Sequence, residues 1–155
     1  MDEGFRLYVE SLHDAFERLK NMKPVTAATL PKILPLECVY LFSENGKPLY
    51  VGRTRKLRQR MRNHCGTASG HNQAVFAFKL ARELTGNMGA GYTAENSRKT
   101  LLSEAEFATA FTDSKARVRS MKLRFVEEKD SLRQTLLEIY VAFVLKTPYN
   151  DFETH

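Results

Sequence analysis

The chain has 155 residues, 43% of them hydrophobic and 27% charged, with a formal net charge of +6. That is the make-up of an ordinary globular chain able to bury one core as a single domain, and the basic excess leans toward an anionic partner such as nucleic acid. No stretch approaches the roughly eighteen apolar residues of a membrane span, and the acidic start MDEGFRLYVESLHDAF lacks the apolar core of a signal peptide. A cytoplasmic protein is expected, with Cys38 and Cys65 as reduced thiols.

In chain order, Phe5, Tyr8, Leu12, Phe16 and Leu19 recur at steps of three and four, which predicts one amphipathic helix over 3–22. A connector follows, punctuated by Pro24, Pro31 and Pro35. CVYLF (38–42) and PLYVG (48–52) read as strands joined by the Asn-Gly turn of ENGK, a tight hairpin. Thr54 is placed to cap a helix over 54–65, with Leu57, Met61 and Cys65 inward and Lys56, Arg60 and His64 on the adjacent stripe. GTASGHN is a loop, 74–84 a helix, 85–97 a glycine-rich loop able to close over a substrate, and 103–119 a helix with Phe107, Phe111 and Val118 inward. MKLRFVEE (121–128) alternates as a half-buried strand, and Asp130 caps a helix over 130–146 that is apolar around most of its girth.

These elements predict a small α/β (α+β) fold. A three-stranded, mainly antiparallel sheet is flanked by helices, with residues 1–36 as an N-terminal helix and connector and 67–118 as a helical insertion.

Some residues stand out chemically. Arg53, Arg55, Lys56, Arg58, Arg60 and Arg62 fall within ten residues, either a solvated face or a phosphate site. Glu138 lies in the apolar run LLEIYVAFVL, where a carboxylate needs a partner: a position at the helix edge, an arginine, or a metal. Tyr40 and Tyr50 sit mid-strand in the hairpin, as core aromatics or as hydroxyls converging on one face, with Gly52 either bringing the backbone close to that face or merely turning the chain. Asn150 follows the last helix, a position that suits a turn former.

Taken together, CVY (38–40), YVG (50–52), Arg60 eight residues past Gly52, Glu138, and Asn150 twelve residues past Glu138 resemble the GIY-YIG nuclease superfamily. The likeness covers roughly 37–66 and 119–152; Cys38 stands where that family has its first glycine, and 67–118 is inserted. The resemblance implies a metal-dependent endonuclease acting on DNA phosphodiesters. Glu138 would hold one Mg²⁺ or Mn²⁺, Arg60 would clamp the scissile phosphate, and Tyr40 or Tyr50 would orient the water or act as general base. Arg53, His64 and Asn150 would support that site; Arg53 stands where the family often has a lysine and, staying protonated, can act only electrostatically. Arg53, Arg55, Lys56, Arg58 and Arg62 are the expected contacts to the nucleic-acid backbone.

A nucleic-acid-binding module on the same scaffold, without catalysis, is the alternative, and a protein whose basic helix is merely solvated is a third. A helix-turn-helix regulator ranks last, because the basic helix follows a hairpin rather than a helix.

Overall fold

The computed structural model describes residues 1–88 and 97–152. Residues 89–96, most of the glycine-rich loop expected to close over a substrate, lie outside the described residues. The chain forms two compact units, residues 1–58 with 121–155 and residues 59–120.

The first unit is built on an antiparallel sheet in the order β2-β1-β3, with β1 at Cys38–Glu44, β2 at Lys47–Thr54 and β3 at Lys122–Glu127. Val39, Leu41, Val51 and Val126 share one face and pack on two helices, α2 (Leu12–Asn21) and α7 (Ser131–Leu145), through Leu12, Ala15, Phe16, Leu19, Leu137, Val141 and Ala142. Burying such side chains contributes about 1.5–3 kcal/mol each before chain entropy is set against it. Cross-strand partners share a face, so the other side carries Tyr40 opposite Gly52 and Phe125, and Phe42 opposite Tyr50 and Leu123.

The hairpin turn is as expected, with Asn45 (φ 52°) and Gly46 (φ 75°) both left-handed. Its register then shifts: Ser43 opposes Pro48 but Phe42 opposes Tyr50, leaving Leu49 as an extra residue. A regular hairpin closed by Glu44 and Lys47 would pair Leu41 with Tyr50 and turn that tyrosine toward α7. Because strand side chains alternate with period two, the one-residue bulge moves Tyr50 to the face of Tyr40.

The N-terminal segment corrects the expected single helix. It is two, α1 (Glu3–Glu10) and α2, with the ladder interrupted at Ser11. There the Ser11 hydroxyl donates to the Tyr8 carbonyl at 2.6 Å, and Arg133 donates to the Ser11 carbonyl at 3.3 Å. α1 buries no residue, so the apolar stripe becomes core only from Leu12 onward and Phe5 stays half exposed. At the other end of the unit, Asp130 caps α7 as expected, accepting from the Arg133 backbone N–H at 2.8 Å. α7 is less enclosed than its composition suggests: Leu132, Ile139, Phe143 and Val144 are exposed.

The basic helix, α3, spans Leu57–Cys65 and starts three residues later than expected. Thr54 accepts from the Lys56 N–H at 3.0 Å, making a local turn ahead of the helix, while the Leu57 N–H donates to the Leu36 carbonyl at 3.2 Å. Leu57, Met61 and Cys65 are buried, as their spacing implied.

In the second unit, α4 (Val75–Thr85) packs on α6 (Ala105–Ser120), with the Phe78 ring 5.1 Å from Phe107 and 5.9 Å from Phe111 between centroids. A short helix, α5 (Arg98–Ser103), precedes α6, capped by Ser97, whose hydroxyl accepts from the Thr100 N–H at 3.1 Å.

Candidate active site

In the first unit the hairpin sets the positions of the tyrosines. Tyr40 is 1% exposed and lies directly over Gly52: a Cβ built on Gly52 would fall 2.5 Å from Tyr40 Cζ and closer still to its hydroxyl. Gly52 has no left-handed φ, so what this position needs is the missing side chain, not backbone freedom. Tyr50 is partly exposed on the same face.

Alternation along β2 sends Arg53 to the opposite side, where it pairs with Val39 across the strands and reaches α7. Its Nε donates to Glu138 Oε2 at 3.0 Å, with side-chain exposures of 46% and 20%. Two of the three options for Glu138 are thereby realised together, since it sits at the edge of the apolar face and has an arginine partner. A half-exposed pair of this kind contributes at most about 1 kcal/mol. Its larger effect is to fix where the carboxylate points.

Asn150 is bound to the backbone of β2. The Val51 N–H donates to its Oδ1 at 2.9 Å and its Nδ2 donates to the Val51 carbonyl at 2.8 Å, while the Tyr149 N–H donates to the Leu49 carbonyl at 3.2 Å. β2 is an edge strand, and this clamp occupies backbone groups that would otherwise face solvent. Only an amide offers a donor and an acceptor at that span. Asn150 therefore holds the strand that carries Tyr50, Gly52 and Arg53.

The other basic residues of this unit divide. Arg55 donates to the Ser131 hydroxyl at the start of α7, and Arg58 turns onto the connector carbonyls of Pro31 (2.7 Å) and Lys32 (3.2 Å). Lys56 is exposed.

In the second unit, Arg60 is partly buried and donates to the Gln73 carbonyl at 3.4 Å, and Arg62 is exposed. His64 is fully buried. Burial, with the charge of Arg60 as a lesser cause, holds its pKa well below the ordinary value, so it is neutral near pH 7. The thiols are equally enclosed: burial pushes Cys38 up to about 12 and raises Cys65, so neither is a nucleophile.

Among the described residues no three His, Cys, Asp or Glu side chains gather at one point. An ion held at Glu138 would therefore draw at most one further ligand of these types from the described residues and would fill the rest of its shell with water and phosphate oxygens. That donor set fits Mg²⁺ or Mn²⁺ and does not fit zinc.

A family model describing the GIY-YIG catalytic domain matches residues 37–142, more than half of the chain. The chain belongs to the GIY-YIG catalytic domain family. The match runs from the first strand through α7 as far as Ala142, and so spans Tyr40, Tyr50, Arg53, Arg60 and Glu138. Comparison with curated proteins and with solved structures returned no match. Membership places the protein in a nuclease-type family, and nucleic acid is the substrate class that this family implies. No described helix is long and apolar enough to cross a membrane.

Buried polar residues that sequence reasoning passed over support the unit. Gln134 is 2% exposed and donates to the Glu128 carbonyl at 2.6 Å and the Thr54 carbonyl at 3.4 Å, tying the ends of β2 and β3 to α7. Arg133 pairs with Glu128 at 2.9 Å. The only signal available for Gln134 was a polar residue on the inner stripe of α7, two positions after an exposed leucine.

Proposed function

We propose that the protein is a metal-dependent endonuclease that hydrolyses phosphodiester bonds in DNA. The observation that carries this reading is the bulged register of the hairpin. It turns Tyr40 and Tyr50 to one face in a chain of this family, with a glycine beneath one of the phenols.

Glu138 would hold one Mg²⁺ or Mn²⁺, which when bound supplies charge for the developing phosphorane and an acidified water. Arg53 orients the Glu138 carboxylate through its hydrogen bond, and as an arginine it cannot itself carry the proton. Tyr50, the more exposed phenol, suits orienting the attacking water or taking its proton. Tyr40, buried against Gly52, suits a fixed hydrogen-bonding role. A phenol titrates near pH 10 in water, so accepting a proton near neutrality requires nearby positive charge. Arg60 would bind the scissile phosphate through its planar fork. His64, being buried and neutral, would support α3 rather than pair with phosphate as a cation. Lys56 and Arg62, both exposed, suit backbone contacts, and Arg55 and Arg58 would contribute charge from positions already tied to the fold.

The Arg53–Glu138 pair also favours a second reading, a binding module in which Glu138 is only a structural partner. Incubating supercoiled plasmid with wild type and with Glu138→Gln in Mg²⁺, Mn²⁺ or EDTA separates the two. Nicking that requires metal and is lost in the variant supports the nuclease. DNA binding without cutting by either protein would replace it with the module.

A further inference from the structure

From Asn45 to Arg82 the sequence contains no Asp or Glu, while it holds nine Lys and Arg. In the second unit this stretch includes the loop Gly66–Gln73, and the structure surrounds that loop with cations bonded to backbone carbonyls. Lys115, 5% exposed on α6, donates through Nζ to the Thr67 carbonyl at 2.8 Å and the Ser69 carbonyl at 3.0 Å, with the Phe111 ring centroid 4.7 Å away. Arg98 lies over the Phe78 ring at 5.3 Å and donates to the His71 carbonyl at 3.5 Å. Arg60 reaches the Gln73 carbonyl. Carbonyls at alternate positions, 67, 69, 71 and 73, thus each receive a cation.

For Lys115 and Arg98 the carbonyl dipoles satisfy the donors without cancelling their charge, whereas a carboxylate would cancel it. Lys115 is moreover largely removed from water, so its field is weakly screened and emerges through the loop. What the loop presents outward is neutral and polar: Thr67, Asn72 and Gln73 are exposed. Positive potential behind hydrogen-bonding groups, with no large apolar side chain in GTASGHNQ, fits a sugar–phosphate backbone and lacks the apolar anchor that a membrane surface requires.

We propose that the Gly66–Gln73 loop is a second nucleic-acid contact of this protein, made by the inserted unit with the phosphate backbone of its substrate. The proposal rests on the nuclease reading for the identity of the ligand. It does not depend on catalysis, so the two can fail separately.

The test measures binding of a fluorescein-labelled DNA duplex by anisotropy over a series of NaCl concentrations, in EDTA and in the Glu138→Gln background. Thr67→Glu and Asn72→Glu place acid on exposed loop positions, and Thr112→Glu, exposed on α6, is the control; thermal melts verify that all three fold. Each loop substitution is expected to weaken binding about fivefold or more at low salt and to make the slope of log Kd against log salt shallower by about one. The control should stay within about twofold, the range expected for a charge far from the contact. Loop variants that bind like their parent, or a control that weakens binding equally, would overturn the proposal. So would a parent that binds polyglutamate but not the duplex. If wild type fails to nick plasmid while the loop variants weaken binding, the nuclease reading falls and the loop contact stands.

Discussion

Gly52 lies beneath the phenol of Tyr40, so close that a Cβ on the glycine would fall 2.5 Å from Tyr40 Cζ. The contact is between neighbouring strands of one sheet, so neither side can retreat without disturbing the register. Gly52→Ala is expected to cost about 1–3 kcal/mol, as overpacking of a filled core does, and to displace the phenol. Gly46→Ala is the contrast: nothing lies within 4 Å of its Cβ, and the strain comes from φ 75° alone, a cost of about 1–2 kcal/mol. Urea denaturation would compare the two for stability. Plasmid nicking per folded molecule should drop for Gly52→Ala and hold for Gly46→Ala; equal activity in both would show that the phenol position is not what the glycine protects.

Asn150 is expected to behave as part of the sheet. Asn150→Ala leaves the Val51 N–H and carbonyl without their amide partner, at about 1–3 kcal/mol for a partly buried group. Asn150→Asp keeps the acceptor and loses the donor, setting a carboxylate against the Val51 carbonyl, and should be no better than alanine. Hydrogen exchange at the Val51 amide would report the loss directly. An unchanged protection factor in Asn150→Ala would refute the clamp.

Deleting Leu49 tests the bulge. Without the extra residue Ser43–Pro48, Phe42–Tyr50 and Leu41–Val51 become neighbouring pairs of one regular ladder, so Tyr50 keeps the face of Tyr40. The shortened protein should therefore still nick plasmid, whereas Tyr50→Phe, which removes the hydroxyl in place, should lose activity by about tenfold or more. Full activity in Tyr50→Phe would mean that this phenol has no role in the reaction.

The hairpin was legible because Asn45-Gly46 encodes its turn locally, and the α7 cap because Asp130 directly precedes the apolar run. The bulge was not. Leu49 looks like any strand residue, and its exclusion from the ladder follows from Pro48, which offers no N–H, and from the outer clamp on Leu49 and Val51 supplied about a hundred residues later. The split at Ser11 likewise depends on Arg133, 122 residues away. Candidate residues of the site could be named from their order along the chain. The face each one occupies was set by long-range pairing, and so was the fate of Arg58, whose guanidinium is turned back onto the connector.

Arg53 and a divalent ion would make opposing demands on Glu138. The arginine offsets the carboxylate charge at 3.0 Å, and a dication bound there would meet a guanidinium already in place. Arg53→Gln is therefore expected to strengthen Mn²⁺ binding several-fold, since one unit charge near the surface is worth about 1 kcal/mol. Stability should change by less than about 1 kcal/mol because Arg53 is half exposed. Calorimetric titration with Mn²⁺ measures the affinity, with Glu138→Gln as the protein that should not bind. Unchanged or weaker Mn²⁺ binding in Arg53→Gln would argue that the ion does not sit at Glu138.

His64 gives the protein a pH dependence of definite sign. Burial holds its folded-state pKa well below the unfolded value of 6.5. Above pH 6.5 the ring is neutral in both states and contributes no slope. Below it the unfolded chain takes up a proton that the folded chain refuses, so stability falls as pH drops, by up to about 1.4 kcal/mol per pH unit, until the folded-state pKa is reached. The thermal midpoint should hold between pH 8 and 7 and decline from pH 6.5 to 5. His64→Gln, which cannot titrate, should start lower because the buried ring is lost, yet show a shallower decline over the same range. Parallel pH profiles for the two proteins would mean that another group drives the acid sensitivity.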